Sequence, residues 1–299
     1  MRVLWICLFL LSISVSYATA QASAWDESAP VCQILDRSPD PDYTLSLTYV
    51  EEGRFRRYGT SRILLLDGEM DLGYYHDIYC GDIDVAFDFS ALLFSSSAEI
   101  QLPDQLVILA VDAGWTWRYI NDMALQVRMQ PGIYSDIEEF AFRTLSLPVS
   151  VAGVMPLNPE LSATAGFQIR PWFDRLLMPI LGVVWQPENW IRVEATLPEA
   201  RVLYYYDAEW SGFLKWAWES TTYAIKEKGD FDRKHLTLES RTTSAGVTYT
   251  RPDGLGITGE FGMIMDRKAI FGRRDSSGIP ANIPIEDEIF LRVGVGGPF

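Results

Sequence analysis

The chain has 299 residues, with 25 Lys and Arg against 40 Asp and Glu, and its formal net charge is −15. Such an acidic excess argues against nucleic acid or an anionic membrane surface as the partner and favours cations or neutral solutes. Of the basic residues 20 are Arg and 5 are Lys, and Arg is the side chain suited to pairing with carboxylates in semi-enclosed places.

The first 20 residues have the three-part layout of a secretory signal peptide. Arg2 precedes the apolar run Val3–Ile13, and Ala18 and Ala20 form a small-x-small site. The run is shorter than the ~20 residues that a membrane-spanning helix needs. Residues 1–20 are therefore predicted to be cleaved. Cys32 and Cys80 remain after cleavage, and whether they pair stays open, because an exported compartment permits a bridge without requiring one.

Most of the remaining chain alternates apolar and polar residues with a period of two, the pattern of strands whose two faces meet different surroundings. Met123–Met129 follows Val111–Tyr119 after a three-residue turn, so these two runs predict a hairpin. The alternating runs, in chain order, are Tyr43–Val50, Ile83–Phe89, Val111–Tyr119, Met123–Met129, Leu161–Ile169, Leu181–Trp185, Ile191–Leu197, Ala245–Tyr249, Ile257–Met265 and Ile289–Val295.

Other stretches are less regular. Arg62–Leu66 is apolar without alternation, and Phe142–Ala152 contains Pro148, which predicts an edge or bulged strand. The aromatic content of Ser211–Lys228 favours a strand, with a short helix as the alternative. Acidic or Gly- and Pro-containing stretches predict the long loops, which are Asp36–Asp42, Gly68–Asp82, Gln130–Glu139, Ala224–Lys234 and Phe271–Glu288.

The polar faces of the strands distinguish a membrane barrel from a soluble sandwich. A sandwich face in bulk water should be rich in Lys, Glu and Thr, whereas a barrel lumen takes small residues and paired charges. The polar-face positions here carry Gly, Ala, Asp, Glu, Gln and Arg and no Lys. The candidate lumen charges, which would stabilise the barrel or set the charge preference of a pore, are Asp84, Asp88, Asp112, Arg118, Arg128, Arg192, Glu194 and Glu260.

Aromatic residues occupy the apolar faces at strand ends, where a membrane barrel carries its interfacial girdles. Trp115, Trp117, Tyr119, Trp185 and Tyr249 are the candidates for such a girdle. The alternative interpretation is that these rings form the core of a soluble, secreted β-protein that binds a ligand.

Two stretches of the chain resemble known outer-membrane proteins. The last strand ends on the aromatic Phe299, in phase with its apolar face, and this resembles the signal that outer-membrane barrels present to their assembly machinery. Residues 177–190 and 195–205 resemble an uncharacterised family of bacterial outer-membrane barrels, a domain of unknown function. That resemblance implies fold and location, and it brings no catalytic residue, cofactor or ligand.

Catalysis has one candidate in the sequence. His235 and Thr237 share a strand face, which would suit a barrel hydrolase, but no nucleophile elbow or orienting partner is visible. His76 is interpreted as a loop histidine. Asp36, Asp40 and Asp42 lack the spacing of a calcium loop. We therefore expect no catalytic residue, no metal and no cofactor.

Together these patterns predict an all-β, transmembrane, antiparallel up-and-down barrel of about 12 strands, with 10 to 14 as the range. Residues 1–20 are the signal peptide, 21–42 an N-terminal extension and 43–299 the barrel. The expected role is a passive, porin-like channel or a structural component of the cell envelope. The expected partners are outer-membrane lipid, the barrel-assembly machinery and small solutes, with nucleic acid excluded.

Overall fold

The computed structural model describes residues 42–55, 59–78, 81–96, 103–119, 123–138, 144–226, 235–272 and 282–298. No helix in these ranges is long and apolar enough to cross a membrane. The described chain consists of strands and their connections. The strand segments are β1 (Asp42–Phe55), β2 (Gly59–Ile78), β3 (Gly81–Ser96), β4 (Gln105–Arg118), β5 (Ala124–Met129), β6 (Gly132–Ser135), β7 (Leu145–Ser146), β8 (Val149–Asn158), β9 (Leu161–Ile169), β10 (Leu177–Glu188), β11 (Ile191–Leu197), β12 (Glu199–Tyr205), β13 (Trp210–Ala224), β14 (His235–Thr250), β15 (Gly256–Phe271), β16 (Asn282–Pro284) and β17 (Glu288–Pro298).

These segments form one closed sheet of 14 antiparallel strands. Three strands are each split into two segments, because β5 with β6, β7 with β8, and β16 with β17 line up along the same neighbour. The last segment, β17, pairs with β1 and closes the barrel. Fourteen strands lie at the upper end of the predicted range, and closure leaves the sheet without an unpaired edge along most of its length.

The two ends of the barrel differ in their connections. We call the end where Asp42 lies opposite Pro298 the terminal end, and the other the far end. The six connections at the terminal end have two to five residues, whereas four of the seven at the far end have eight to ten. This asymmetry is typical of membrane barrels, whose turns are short on one side and long on the other.

The predicted hairpin at the start of the chain's middle third is confirmed, and two predicted loops are corrected. β4 pairs with β5 from Ala113 opposite Met129 to Arg118 opposite Ala124. Gly68–Asp82, predicted as a loop, belongs mostly to β2 and β3, and Gln130–Glu139 contains β6. Acidic residues suggested a solvated loop in the first of these stretches, but a lumen also solvates them. The strand favoured for the stretch from Ser211 is confirmed as β13.

Pro148 divides β7 from β8, as expected for a bulged strand, although this strand lies inside the sheet and not at an edge. Gln130 and Pro131 interrupt the neighbouring strand between β5 and β6. The two interruptions face each other, because Gln130 donates its backbone N–H to the Pro148 carbonyl at 2.9 Å. Both strands keep the same register with their neighbours on either side of these interruptions.

The two faces of the barrel wall have opposite chemistry. Large apolar side chains on the outward face remain exposed, as with Leu177 at 62%, Leu214 at 61% and Phe261 at 59%. A soluble protein would bury such a belt, so the outward face fits contact with lipid. Buried polar side chains, including Asp84, Asp112 and Glu260, are instead found on the inward face.

Candidate functional site in the barrel lumen

An ion-paired cluster crosses three neighbouring strands on one side of the lumen. Arg128 on β5 donates from Nη2 to Asp84 Oδ2 on β3 at 2.7 Å and from Nη1 to Asp112 Oδ2 on β4 at 3.0 Å. Gly114 lies between Asp84 and Arg128 in register. A Cβ at that position would stand 2.3 Å from Asp84 Oδ1, so glycine leaves the room that the pairing needs.

The other predicted lumen charges form two further clusters. Glu194 on β11 pairs with Arg192 at 2.7 Å and also with Arg201 on β12. Across the lumen, Glu260 accepts from Ser244 at 2.6 Å and from Arg292 at 3.1 Å. A charged side chain costs less to bury beside an opposite charge than by itself. These pairs therefore lower the cost of holding charges in the lumen.

The remaining two predicted lumen charges lie apart from these clusters. Arg118 contacts Asp82 at 3.0 Å, with the Arg118 side chain 54% exposed. Asp88 accepts a hydrogen bond from Gln130 at 2.8 Å. The structure thus connects Asp84 with Asp112, as their neighbouring strands predicted, and leaves Asp88 to a different partner.

The lumen also contains charges that the sequence did not identify. Lys215 on β13 is in register with Arg201 on the lumen side and pairs with Glu199 at 2.8 Å, so the inward faces are not free of lysine. Glu69 on β2 lies within the stretch predicted as a loop, and Asp67 lies between that stretch and the apolar run Arg62–Leu66. Glu219 lies in the stretch whose strand alternation was ambiguous. A period-two signal was present in β2 and would have predicted a strand with its carboxylates on the inward face. Asp67, Glu69 and Asp71 alternate there with Leu66, Gly68 and Met70.

A chamber of about 440 Å³ lies inside the barrel and combines two kinds of wall. Its charged side chains are four carboxylates and two guanidinium groups, which are those of Asp67, Glu69, Asp88, Glu219, Arg267 and Arg292. Both arginines already pair with other carboxylates, Arg267 with Glu288 at 2.6 Å and Arg292 with Glu260. The electrostatic potential of the chamber is therefore negative, while Leu65, Ile108 and Leu238 give it an apolar side.

Towards the far end, the inward side chains become apolar and pack against one another. Val50, Ile63, Leu92, Leu106 and Leu236 belong to this cluster, and Leu236 is fully buried. The side chains come from strands on all sides of the far half, namely β1 to β4 and β13 to β15. In the described part of the chain, this apolar constriction separates the chamber from the far end.

Aromatic side chains gather on the outward face at the terminal end. Trp115 stacks on Trp117 with ring centroids 5.7 Å apart, and Trp117 stacks on Tyr119 at 5.4 Å. Tyr249 contacts Trp210 at 4.8 Å, and Trp185 is 45% exposed near the same end. The five predicted girdle residues therefore lie near the terminal end, with Trp115 and Tyr119 four residues apart along the chain, and their role at a membrane interface remains a prediction.

Several expectations fall outside the described residues or outside this site. Phe299, Cys32 and Cys80 lie outside the described ranges, as does the side chain of His76. The hydroxyl of Thr237 lies 2.8 Å from that of Thr222, in a pair of buried threonines. Among the described residues, no group of three or more His, Cys, Asp or Glu side chains is placed to hold a metal ion.

The closed 14-strand sheet, the apolar outer belt and the charged lumen define the class of protein as a transmembrane β-barrel. Solved structures similar to it include an outer membrane channel from Pseudomonas putida F1, at 9% identity and a TM-score of 0.49, covering 93% of this chain and 100% of that one. The transport unit of the autotransporter AIDA-I from Escherichia coli shares 12% identity, covering 99% and 97% of the two chains, with a TM-score of 0.43. The Ralstonia pickettii toluene transporter TbuX shares 11%, covering 91% and 94%, with a TM-score of 0.42.

No protein-family model matches the chain, and no curated protein matches it. The likenesses to solved structures have low identities and TM-scores, so the class rests on the strands and faces of this chain itself.

Proposed function

We propose that this protein is a narrow, passive channel of the outer membrane that takes up small cationic or neutral solutes. The acidic chamber carries this proposal, because four carboxylates face two guanidinium groups that are already paired elsewhere. Rings of carboxylates favour cations in pores, and a lumen with paired charges and water fits passage rather than chemistry.

The orientation follows from the connections. Membrane barrels of this type place short turns in the periplasm and long loops outside, so the terminal end would face the periplasm. The proposal includes cleavage of residues 1–20 after export, assembly by the barrel-assembly machinery and surrounding outer-membrane lipid. The resemblance of residues 177–205 to an uncharacterised outer-membrane barrel family is part of the same proposal.

The proposal includes no catalytic role. The sequence offered one hydroxyl beside His235, that of Thr237. This hydroxyl is hydrogen-bonded to the hydroxyl of Thr222 on the neighbouring strand. A nucleophile would instead need a base within hydrogen-bond reach and an orienting group behind that base.

Ion selectivity in planar bilayers tests the proposal. A KCl gradient across a membrane containing the purified protein should give a reversal potential with the sign of cation preference. The double variant Asp67→Asn and Glu219→Gln should move this potential towards zero, because it removes two of the four chamber carboxylates. The matched control removes two acidic charges in terminal-end turns, Glu160→Gln and Asp253→Asn, and should keep the wild-type potential.

Two results would contradict the proposal. Anion preference in the wild-type protein would show that the chamber does not set selectivity. If the folded protein gives neither ion current nor solute-driven swelling of liposomes, the barrel has a structural role in the envelope instead.

A further inference from the structure

The barrel wall has a notch at the far end, between β10 and β13. The strands between them, β11 and β12, end and begin at Leu197 and Glu199. β13 continues beyond its last pairing with β12 at Ala217, whereas β10 begins four residues before its pairing with Leu197. The gap between β10 and β13 is three strand spacings, which is roughly 14 Å wide. Along β13 it extends over the six residues 218–223, which is roughly 20 Å tall.

A direct contact between β6 and β13 forms the upper border of this notch. Ser135 pairs with Ala224 in parallel, although five strands of the wall, counting β7 and β8 as one, lie between β6 and β13 on the side of β8. The Asp136 carboxylate accepts from the backbone N–H of Lys226 at 2.7 Å and of Glu138 at 3.1 Å. Asp136 is buried, so the contact is firmly held. We call residues 135–136 and 224–226 the clasp.

The connection between β9 and β10, residues 170–176, fills the notch. Arg170 Nη1 donates to the Ser220 carbonyl at 2.6 Å, and the Asp174 N–H donates to Thr222 Oγ1 at 3.2 Å. Arg175 pairs with Glu239 at 2.6 Å. Among the described residues, no strand pairing joins this segment to β13. Contacts that depend on side chains therefore hold it, where the rest of the wall has a backbone ladder.

The segment is one layer thick between the outer face and the chamber. On the outside, Trp172 is 56% exposed and Leu176 is 59% exposed. On the inside, Phe173 packs edge-on against Tyr134 at 5.3 Å, and the Tyr134 hydroxyl lies 3.3 Å from Gln130 Oε1. Gln130 lines the chamber. Phe173 and the Tyr134 side chain thus stand between the lipid beside the barrel and the chamber, and moving this segment removes the first of them.

Two features of the closed segment raise its free energy. Arg170 is 6% exposed, and its Nη2 has no hydrogen-bond partner. In the described chain, neutral carbonyls and the ring of Phe173 hold this guanidinium in place of a carboxylate. A buried charge without a counterion is costly. Trp172 has a φ of 71°, in the left-handed region that side chains other than glycine rarely adopt.

We propose that the notch is a lateral exit, opened by movement of residues 170–176, through which small amphipathic molecules with a cationic or neutral polar head pass between the chamber and the membrane. This inference rests on the proposed uptake of cationic solutes into the chamber. The chamber matches such molecules, because its acidic side would bind the head and its apolar side the body. The apolar constriction narrows the axial path towards the far end, and the notch is the part of the wall that is held by side-chain contacts in place of a backbone ladder.

Cross-linking tests the exit. In a background with Cys32→Ser and Cys80→Ser, the pair Asp174→Cys and Thr222→Cys is joined by a short bis-maleimide, which fixes the segment to β13. The control joins Leu214→Cys to Ala245→Cys, an outward pair on β13 and β14 that leaves the notch free. The probe is dansylcadaverine, an aromatic amine whose emission rises in lipid, added to outer-membrane vesicles with intact lipopolysaccharide. Potassium conductance of the same proteins is measured in planar bilayers.

The lateral exit predicts that the 174–222 cross-link lowers dansylcadaverine entry to the rate of vesicles without the protein. The control cross-link should leave entry unchanged, and both proteins should conduct potassium like the uncross-linked protein. Unchanged dansylcadaverine entry in the 174–222 protein would overturn the lateral exit, and so would loss of both entry and conductance, since the segment would then belong to the axial path. If potassium conductance is absent while entry depends on the notch, the proposed ion channel fails and the lateral exit stands.

Discussion

Arg128 and Asp84 are joined at 2.7 Å across an intervening strand, over a glycine that lies between them. The guanidinium also contacts Asp112 at 3.0 Å, so two carboxylates on neighbouring strands share one positive charge. Removing the arginine would take this shared cation away from two buried carboxylates.

Arg128→Ala should therefore destabilise the barrel. The Arg128 side chain is 22% exposed to the lumen, so the loss should be about 2 to 3 kcal/mol, below the value for a fully buried pair because water screens the charges. Arg118→Ala is the matched control, since its partner contact is largely exposed and should contribute about 0 to 1 kcal/mol. Urea unfolding in lipid, followed by tryptophan fluorescence, measures both. Equal losses in the two variants would contradict the role of the Arg128 cluster.

The glycine between the two residues has its own consequence. Gly114→Ala places a Cβ 2.3 Å from Asp84 Oδ1, and overpacking of this kind costs about 1 to 3 kcal/mol. Gly259 is also a strand glycine, but a Cβ there meets nothing within 4 Å. Gly259→Ala should be neutral or slightly stabilising. The same unfolding measurement compares the two, and a Gly114→Ala barrel as stable as wild type would show that the Asp84 contact can shift at no cost.

The apolar constriction predicts a change in conductance. Leu236 is fully buried within it and Ile63 is almost so. Replacing both with Ala should open space and admit water, so single-channel current should rise while stability falls by about 2 to 5 kcal/mol for each site. Leu214→Ala, on the exposed outer face, is the control and should leave the current unchanged. A folded double variant with wild-type current would mean that this cluster does not limit flow.

The period-two pattern predicted most of the wall. Outward side chains meet lipid and inward side chains meet water, so apolar and polar residues alternate along each strand. It also identified the charged residues of β3 to β5 and of β11 as lumen candidates, without the partner of Arg192. It failed for Glu69, since acidic residues in a solvated lumen look like those of a solvated loop. Glu219 was obscured by aromatic residues on both faces of β13, where Phe213 faces inward and Trp216 outward.

The notch and the clasp could not be predicted from local pattern at all. Ser135 and Ala224 are 89 residues apart in sequence, and five strands of the wall lie between β6 and β13 on the side of β8. Strand length matters as much, because Leu197 and Glu199 end a hairpin early while the neighbouring strands continue. Alternation gives the face of each residue and says nothing of the height at which a strand stops.

The clasp gives a last prediction, which concerns stability rather than transport. Asp136 and Asp207 each accept hydrogen bonds from two backbone N–H groups, but Asp136 is buried and Asp207 lies in an exposed turn. Asp136→Ala would leave two N–H donors without their carboxylate and should cost about 1 to 3 kcal/mol. Asp207→Ala should cost less, because water replaces the lost acceptor. Amide hydrogen exchange of Lys226 and Glu138 should accelerate in the Asp136 variant and keep its wild-type rate in the Asp207 variant; unchanged exchange in both would show that the strand contact of Ser135 with Ala224 holds the clasp without the carboxylate.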